Sequence, residues 1–126
     1  PTISNITLKR ALGTVTEGGS SASEYDAIQF KKQGNGYFSN ILISGYTTAN
    51  STAVRIQDAG TNTDQVNGGK IKLTNVKIND GISQFAGAGT VSVAFPTGNY
   101  TTSTTTTGAT LTTGAWATVN GVSLIQ

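Results

Sequence analysis

The side chains in this sequence best suited to acid–base or metal chemistry are its six carboxylates, Glu17, Glu24, Asp26, Asp58, Asp64 and Asp80. The 126 residues include no His, Cys or Met. That composition removes the commonest general base, the thiolate metal ligands and any disulfide framework. None of the carboxylates falls in an acid–base, metal-binding or nucleophile motif, and there is no glycine-rich phosphate loop. One grouping has a chemical reading. Arg55, Asp58 and Asp64 combine a base with carboxylates that would hold calcium, which is equipment for cleaving an acidic polysaccharide. Their spacing is not diagnostic, Asp64 falls in a polar insertion expected to be flexible, and an ordinary solvated surface is the favoured account of the three. They stand as weak surface-site candidates. No catalytic, cofactor or metal residue is assigned, calcium enters only through the polysaccharide-cleaving alternative, and an enzyme is the less favoured class.

Charge narrows the partners. Eight basic and six acidic residues leave a formal charge of +2, too balanced to support nucleic-acid binding or attraction to an anionic membrane. No apolar run has the length of a membrane span. The sequons at Asn5, Asn50 and Asn99 are weak matches, and the first belongs to a repeat.

The elements that must position any site are organised by that repeat. Ile3-Ser4-Asn5-Ile6-Thr7-Leu8 recurs as Phe38-Ser39-Asn40-Ile41-Leu42-Ile43 and as Leu73-Thr74-Asn75-Val76-Lys77-Ile78, each copy beginning 35 residues after the last. In a straight strand the first apolar residue of each phrase would face away from the other two. All three can face inward only if the chain bends between them. Asn is the residue other than Gly that most readily enters the left-handed conformation such a bend needs. Asn5, Asn40 and Asn75 are therefore expected to mark corners and to stack as a ladder of side-chain amides.

A second echo lies between the phrases. Asp26-Ala27-Ile28-Gln29-Phe30 and Thr52-Ala53-Val54-Arg55-Ile56 both read as short strands and stand 26 residues apart, with residues 61–69 as the polar, turn-rich insertion that absorbs the difference. Sixteen Gly, two Pro and few Leu or Glu suit many short strands and tight turns. No amphipathic helix is predicted. Asn35-Gly36 and Asn67-Gly68-Gly69 are turn signals before the second and third phrases.

The chain changes character after residue 80. All of its formal charges lie in residues 1–80, and residues 81–126 have none. Residues 90–95, the turn at Pro96-Thr97-Gly98-Asn99 and the Thr-rich run 100–107 read as a hairpin, with a further pair around Trp116 and Asn120-Gly121. A β-prone segment without charged gatekeepers is hazardous at an open edge, so it is expected to dock as a cap or against another chain. A disordered stalk over residues 101–113 is the alternative.

The repeat phrases, together with Asp26 to Gly34, Gly36 to Gly45 and Gly69 to Asp80, resemble the later coils of right-handed parallel β-helix proteins exported by Bacteroidota. The resemblance covers residues 1–80 and implies a secreted or cell-surface protein, commonly associated with the outer membrane; it supplies no catalytic residue. The expectation is thus an all-β chain: a right-handed parallel β-helix of about three coils over residues 1–80, then antiparallel C-terminal hairpins over 81–126. Successive coils stack at about 4.8 Å, so such a piece is short and marginal alone. Ile3 already begins a phrase and Pro1 is not an initiator, so missing N-terminal coils or a protein partner is expected to cover the first coil. The favoured function is a non-enzymatic scaffold or binding module for a glycan or protein ligand. A self-assembling fibre subunit and a fragment of a polysaccharide lyase or glycosidase are the alternatives.

Overall fold

Along the chain the strands are Thr2–Lys9 (β1), Ile28–Phe30 (β2), Gly36–Ser44 (β3), Thr52–Ile56 (β4), Ile71–Ile78 (β5), Ser83–Gly87 (β6), Tyr100–Thr102 (β7), Thr118–Val119 (β8) and Val122–Ser123 (β9). A short helix, Ala59–Thr61 (α1), runs on as a π turn over Asn62–Val66. The computed structural model describes residues 1–10, 26–46, 51–110, 118–119 and 122–123. The loop at Gly18-Gly19-Ser20-Ser21, Glu17, Glu24, the Asn50 sequon, Trp116, the Asn120-Gly121 turn and residues 111–113 of the stretch 101–113 lie outside the described residues.

The first seven strands alternate between two sheets. One has the order β1-β3-β5-β7, the other β2-β4-β6, and every pairing within them is parallel. Each crossover between parallel neighbours passes through the other sheet, which satisfies the need of parallel pairs for a long connection. In the first sheet the 35-residue spacing becomes register: Ile3 pairs with Phe38 and Phe38 with Leu73, Ile6 with Ile41 and Ile41 with Val76. In the second, Ile28 pairs with Val54 and Phe30 with Ile56.

Asn5, Asn40 and Asn75 have φ of 58°, 55° and 55°. A left-handed residue in mid-strand resets the alternation of faces. Phe38 therefore packs against the core on the same side as the buried Ile41 and Ile43. The Asn40 amide donates to Asn5 Oδ1, while the Asn75 N–H donates to Thr101 Oγ1 at 3.0 Å. Ile41, Ile43, Ile71, Leu73 and Val76 from the first sheet meet Phe30, Ala53, Val54 and Ile56 from the second, with Val66 from the π turn, in one buried cluster. Each large side chain there contributes about 1.5–3 kcal/mol.

The right-handed parallel β-helix with C-terminal antiparallel hairpins is not what forms. The chain makes two all-parallel sheets and a single short helix, and this is no clear β-helix. A β-helix needs equivalent strands on every turn. Here strands alternate between only two sheets, their lengths fall to three residues at β2 and β7, the Val54 to Phe85 offset differs from that of Ile28 to Val54, and the β5–β7 register shifts between Leu73 and Val76. The hairpin at residues 90–107 is absent. Residues 91–96 are not a strand, and Tyr100–Thr102 joins the open edge of β5 in parallel. The turn does close, with Asn99 N–H donating to Pro96 O at 2.9 Å. What decides the outcome is burial: Phe95 and Tyr100 both pack edge-on against Phe85 of β6, at 5.2 and 5.0 Å between centroids, while Asn99 O and Ser103 N–H bond β5 at Leu73 and Val76. The only antiparallel pairing among the described residues is the two-residue ladder of β8 and β9.

After β7 the chain turns back across the first sheet. Ser103 N–H donates to Val76 O at 2.9 Å, Thr106 Oγ1 to Asn75 O at 2.8 Å, and Ala109 N–H to Thr7 Oγ1 at 3.0 Å. Residues 103–109 thus form a strap running from β5 to β1. Thr106 and Gly108 are its buried residues. Gly108 has φ +69°, and a Cβ there would collide with Thr7, Ile6 O and Leu42.

Candidate binding groove

The first sheet presents its outward side chains in rows set by the register. Thr2 lies beside Tyr37 and Tyr37 beside Lys72; two residues further on, Ser4, Ser39 and Thr74 form the next row. Tyr37 is 46% exposed and, with Ile3, is one of two large hydrophobic side chains that the described residues leave open to solvent. Its neighbours explain its posture. Gly36 is buried with φ +153°, and a Cβ there would stand 2.8 Å from the Phe38 ring. Glycine therefore lets Phe38 tuck inward while Tyr37, between them, stands outward. Lys72 Nζ sits over the Tyr37 ring, 4.9 Å from its centroid, a cation–π contact.

A groove of about 300 Å³ opens beside this ring, lined by Pro1, Thr2, Asn35, Gly36, Tyr37 and Lys70. At its floor two backbone donors are already used: Gly36 N–H donates to Lys70 O at 3.1 Å and Tyr37 N–H to Pro1 O at 2.9 Å.

One wall is fixed by a network reaching into the helical segment. Asn35 Nδ2 donates to Gln65 Oε1 at 2.9 Å, Gln65 Nε2 to Gln33 Oε1 at 2.5 Å, and Gln33 Nε2 to Asp64 Oδ2 at 2.9 Å. Gln65 is buried. Lys32 and Gln33 are consecutive left-handed residues, φ 50° and 66°, a strained pair that the surroundings must hold. Asp58 and Thr61 hold it: Asp58 Oδ2 accepts from Lys32 N–H at 2.9 Å and Thr61 Oγ1 accepts from Gln33 N–H at 3.0 Å. Asp58 also caps α1, accepting from Thr61 N–H at 2.8 Å and from the Thr61 hydroxyl at 2.9 Å. The Thr61 N–H, followed by that of Lys32, keeps the Asp58 carboxyl below the usual carboxylate range.

The candidates read from the sequence are thus dispersed into structural roles. Arg55 Nε pairs with Asp26 Oδ2 at 2.7 Å, and its Nη1 donates to Gly87 O at 3.4 Å, so it ties the residues leading into β2 to the end of β6 across β4. Asp26 also accepts from Thr52 N–H at 3.1 Å and the Thr52 hydroxyl at 2.5 Å. Asp58 positions the 32–33 turn and Asp64 orients Gln33. The insertion carrying Asp64, expected to be a flexible loop without helix, is α1 and the π turn, packed through buried Thr61, Gln65 and Val66. Among the described residues no group of three or more His, Cys, Asp or Glu could hold a metal, and no helix is long and apolar enough to cross a membrane. Tyr37, Asn35, Lys70 and Lys72 escaped sequence reasoning, which read Asn35-Gly36 only as a turn. A signal was present: the offset of 35 residues that aligns the three Asn also aligns Thr2, Tyr37 and Lys72.

Comparison of the chain with protein-family models, with curated proteins and with solved structures finds no match.

Proposed function

We propose that the chain is a non-enzymatic binding module, acting outside the cell or at its surface, that holds a glycan in the groove beside Tyr37. The observation that carries this reading is the half-exposed Tyr37 ring on a rigid parallel sheet, next to a groove whose walls offer amide, hydroxyl and ammonium groups. A tyrosine held this way gives a large, stiff contact face at low entropic cost, suited to stacking against the apolar face of a sugar ring. Its 300 Å³ sits at the small end of the range for ligand sites, about 300–1,000 Å³, which favours one or two rings. Binding rather than catalysis is supported by the roles of Arg55, Asp58 and Asp64, whose side chains support the fold.

A glycan array probed with the labelled chain tests it. Wild type is expected to retain a defined set of glycans uncut, and Tyr37→Ala, with an unchanged melting temperature, to lose them. Retention of nothing by wild type, or equal retention by the variant, would sink the reading.

A further inference from the structure

Resting on that reading, we infer that the ligand is an acidic glycan, a saccharide bearing carboxylates, read by Lys70 and Lys72 beside the stacking contact with Tyr37. The charge at this place is one-sided. Among the described residues no Asp or Glu lines the groove, Lys70 lines it, and Lys72 holds its ammonium 4.9 Å from the centre of the Tyr37 ring. Lys70 immediately precedes β5 and Lys72 is its second residue, so the two lysines stand close together, with Cα atoms about 6.6 Å apart in extended chain. A carboxylate on a sugar stacked at Tyr37 has two cations within reach.

The neutral groups agree with a saccharide. Ser39 and Thr74, in register on β3 and β5, put hydroxyls on the same outward side as Tyr37 and Lys72, and Asn35 is held at the rim by Gln65 at 2.9 Å. An acidic peptide is the competing ligand for two lysines. Peptides commonly bind a sheet by adding a strand, which needs free backbone donors and acceptors. At this groove the N–H groups of Gly36 and Tyr37 already serve Lys70 O and Pro1 O. An acidic peptide would find those two donors taken, and an oligoglutamate has no ring to stack on Tyr37.

The inference is tested by titration calorimetry of the chain with four probes: a tetramer of galacturonic acid, the same tetramer with its carboxyls methyl-esterified, a sulfated disaccharide repeat of matched length, and an oligoglutamate. The uronate tetramer is expected to bind, and the ester about two- to thirtyfold more weakly, since two exposed ion pairs at about 0.2–1 kcal/mol each set the scale. Lys70→Gln and Lys72→Gln, both at surface positions, should each weaken the uronate about two- to fivefold. Raising the salt should erase much of the difference between uronate and ester. Sulfate matching carboxylate would keep the inference but widen it to anionic glycans generally. Equal binding of uronate and ester, still abolished by Tyr37→Ala, would overturn the acidic class while leaving the glycan module standing. Oligoglutamate binding as tightly as uronate, indifferent to Tyr37→Ala, would overturn both, as would silence from all four probes together with an empty glycan array.

Discussion

At Asn40 a single backbone torsion decides which side chains of β3 reach the core. Its φ of 55° lets Phe38, Ile41 and Ile43 point the same way, and its amide donates to Asn5. Any side chain other than Asn or Gly pays roughly 1–2 kcal/mol to stand there, and losing the amide removes about 0.5–1.5 kcal/mol more. Asn40→Ala should therefore destabilise the chain by about 2 kcal/mol, and Asn40→Gly, which keeps the torsion, by clearly less; urea midpoints of the two variants make the comparison. Equal losses would mean that the torsion is not what Asn supplies. The uneven spacing of apolar residues in each phrase made this bend legible, because no straight strand could bury all three. Tyr37 was not legible from its own surroundings: only its neighbours, the buried Gly36 and the inward-packed Phe38, leave it no direction but outward.

Among the elements, the strap over residues 103–109 is where the uncharged tail finds its use. It hydrogen-bonds β5 at Asn75 and Val76 and β1 at Thr7, and it seats Gly108 against Ile6, Thr7 and Leu42. Gly108→Val would combine a forbidden torsion with a collision, and a loss of about 2 kcal/mol or more is expected. Hydrogen exchange should quicken in β1 first and leave β4 and β6 near their original rates. A uniform increase across both sheets would instead assign the glycine a role in the global core. Sequence pattern predicted docking for this tail, but as an antiparallel hairpin, where the chain instead adds a parallel strand to β5 and a strap. A hairpin is suggested by two β-prone runs around a turn, and nothing in those runs reveals that the edge of β5 stands open and that Phe85 offers both rings a place to pack.

For the molecule as a whole, the cluster of Phe85, Phe95 and Tyr100 closes the core at the β6–β7 end. Burial pushes the Tyr100 hydroxyl up from its ordinary value of 10 to about 12. The fold therefore disfavours the phenolate, which the unfolded chain forms freely. Stability from this group is intact below pH 10 and is lost as pH rises from there through the folded value near 12. Tyr100→Phe should flatten the stability curve in that window, as read by urea unfolding at pH 9 and 11.5; an unchanged slope would place the alkaline loss elsewhere. The parallel register between phrases was visible across the whole molecule because one spacing recurs. The two-sheet arrangement was not, because the second sheet uses short strands at unequal offsets and the helical segment hides in a polar stretch where Asp58 supplies the cap and Thr61, Gln65 and Val66 the buried face. The strap also sets an order of events. Its bond from Ala109 to Thr7 joins residues 102 apart, so during synthesis β1 waits, with its outer row uncovered, until nearly all of the described chain has left the ribosome. Final closure is a late step, and a nascent chain stopped before residue 103 is held together by its sheets alone.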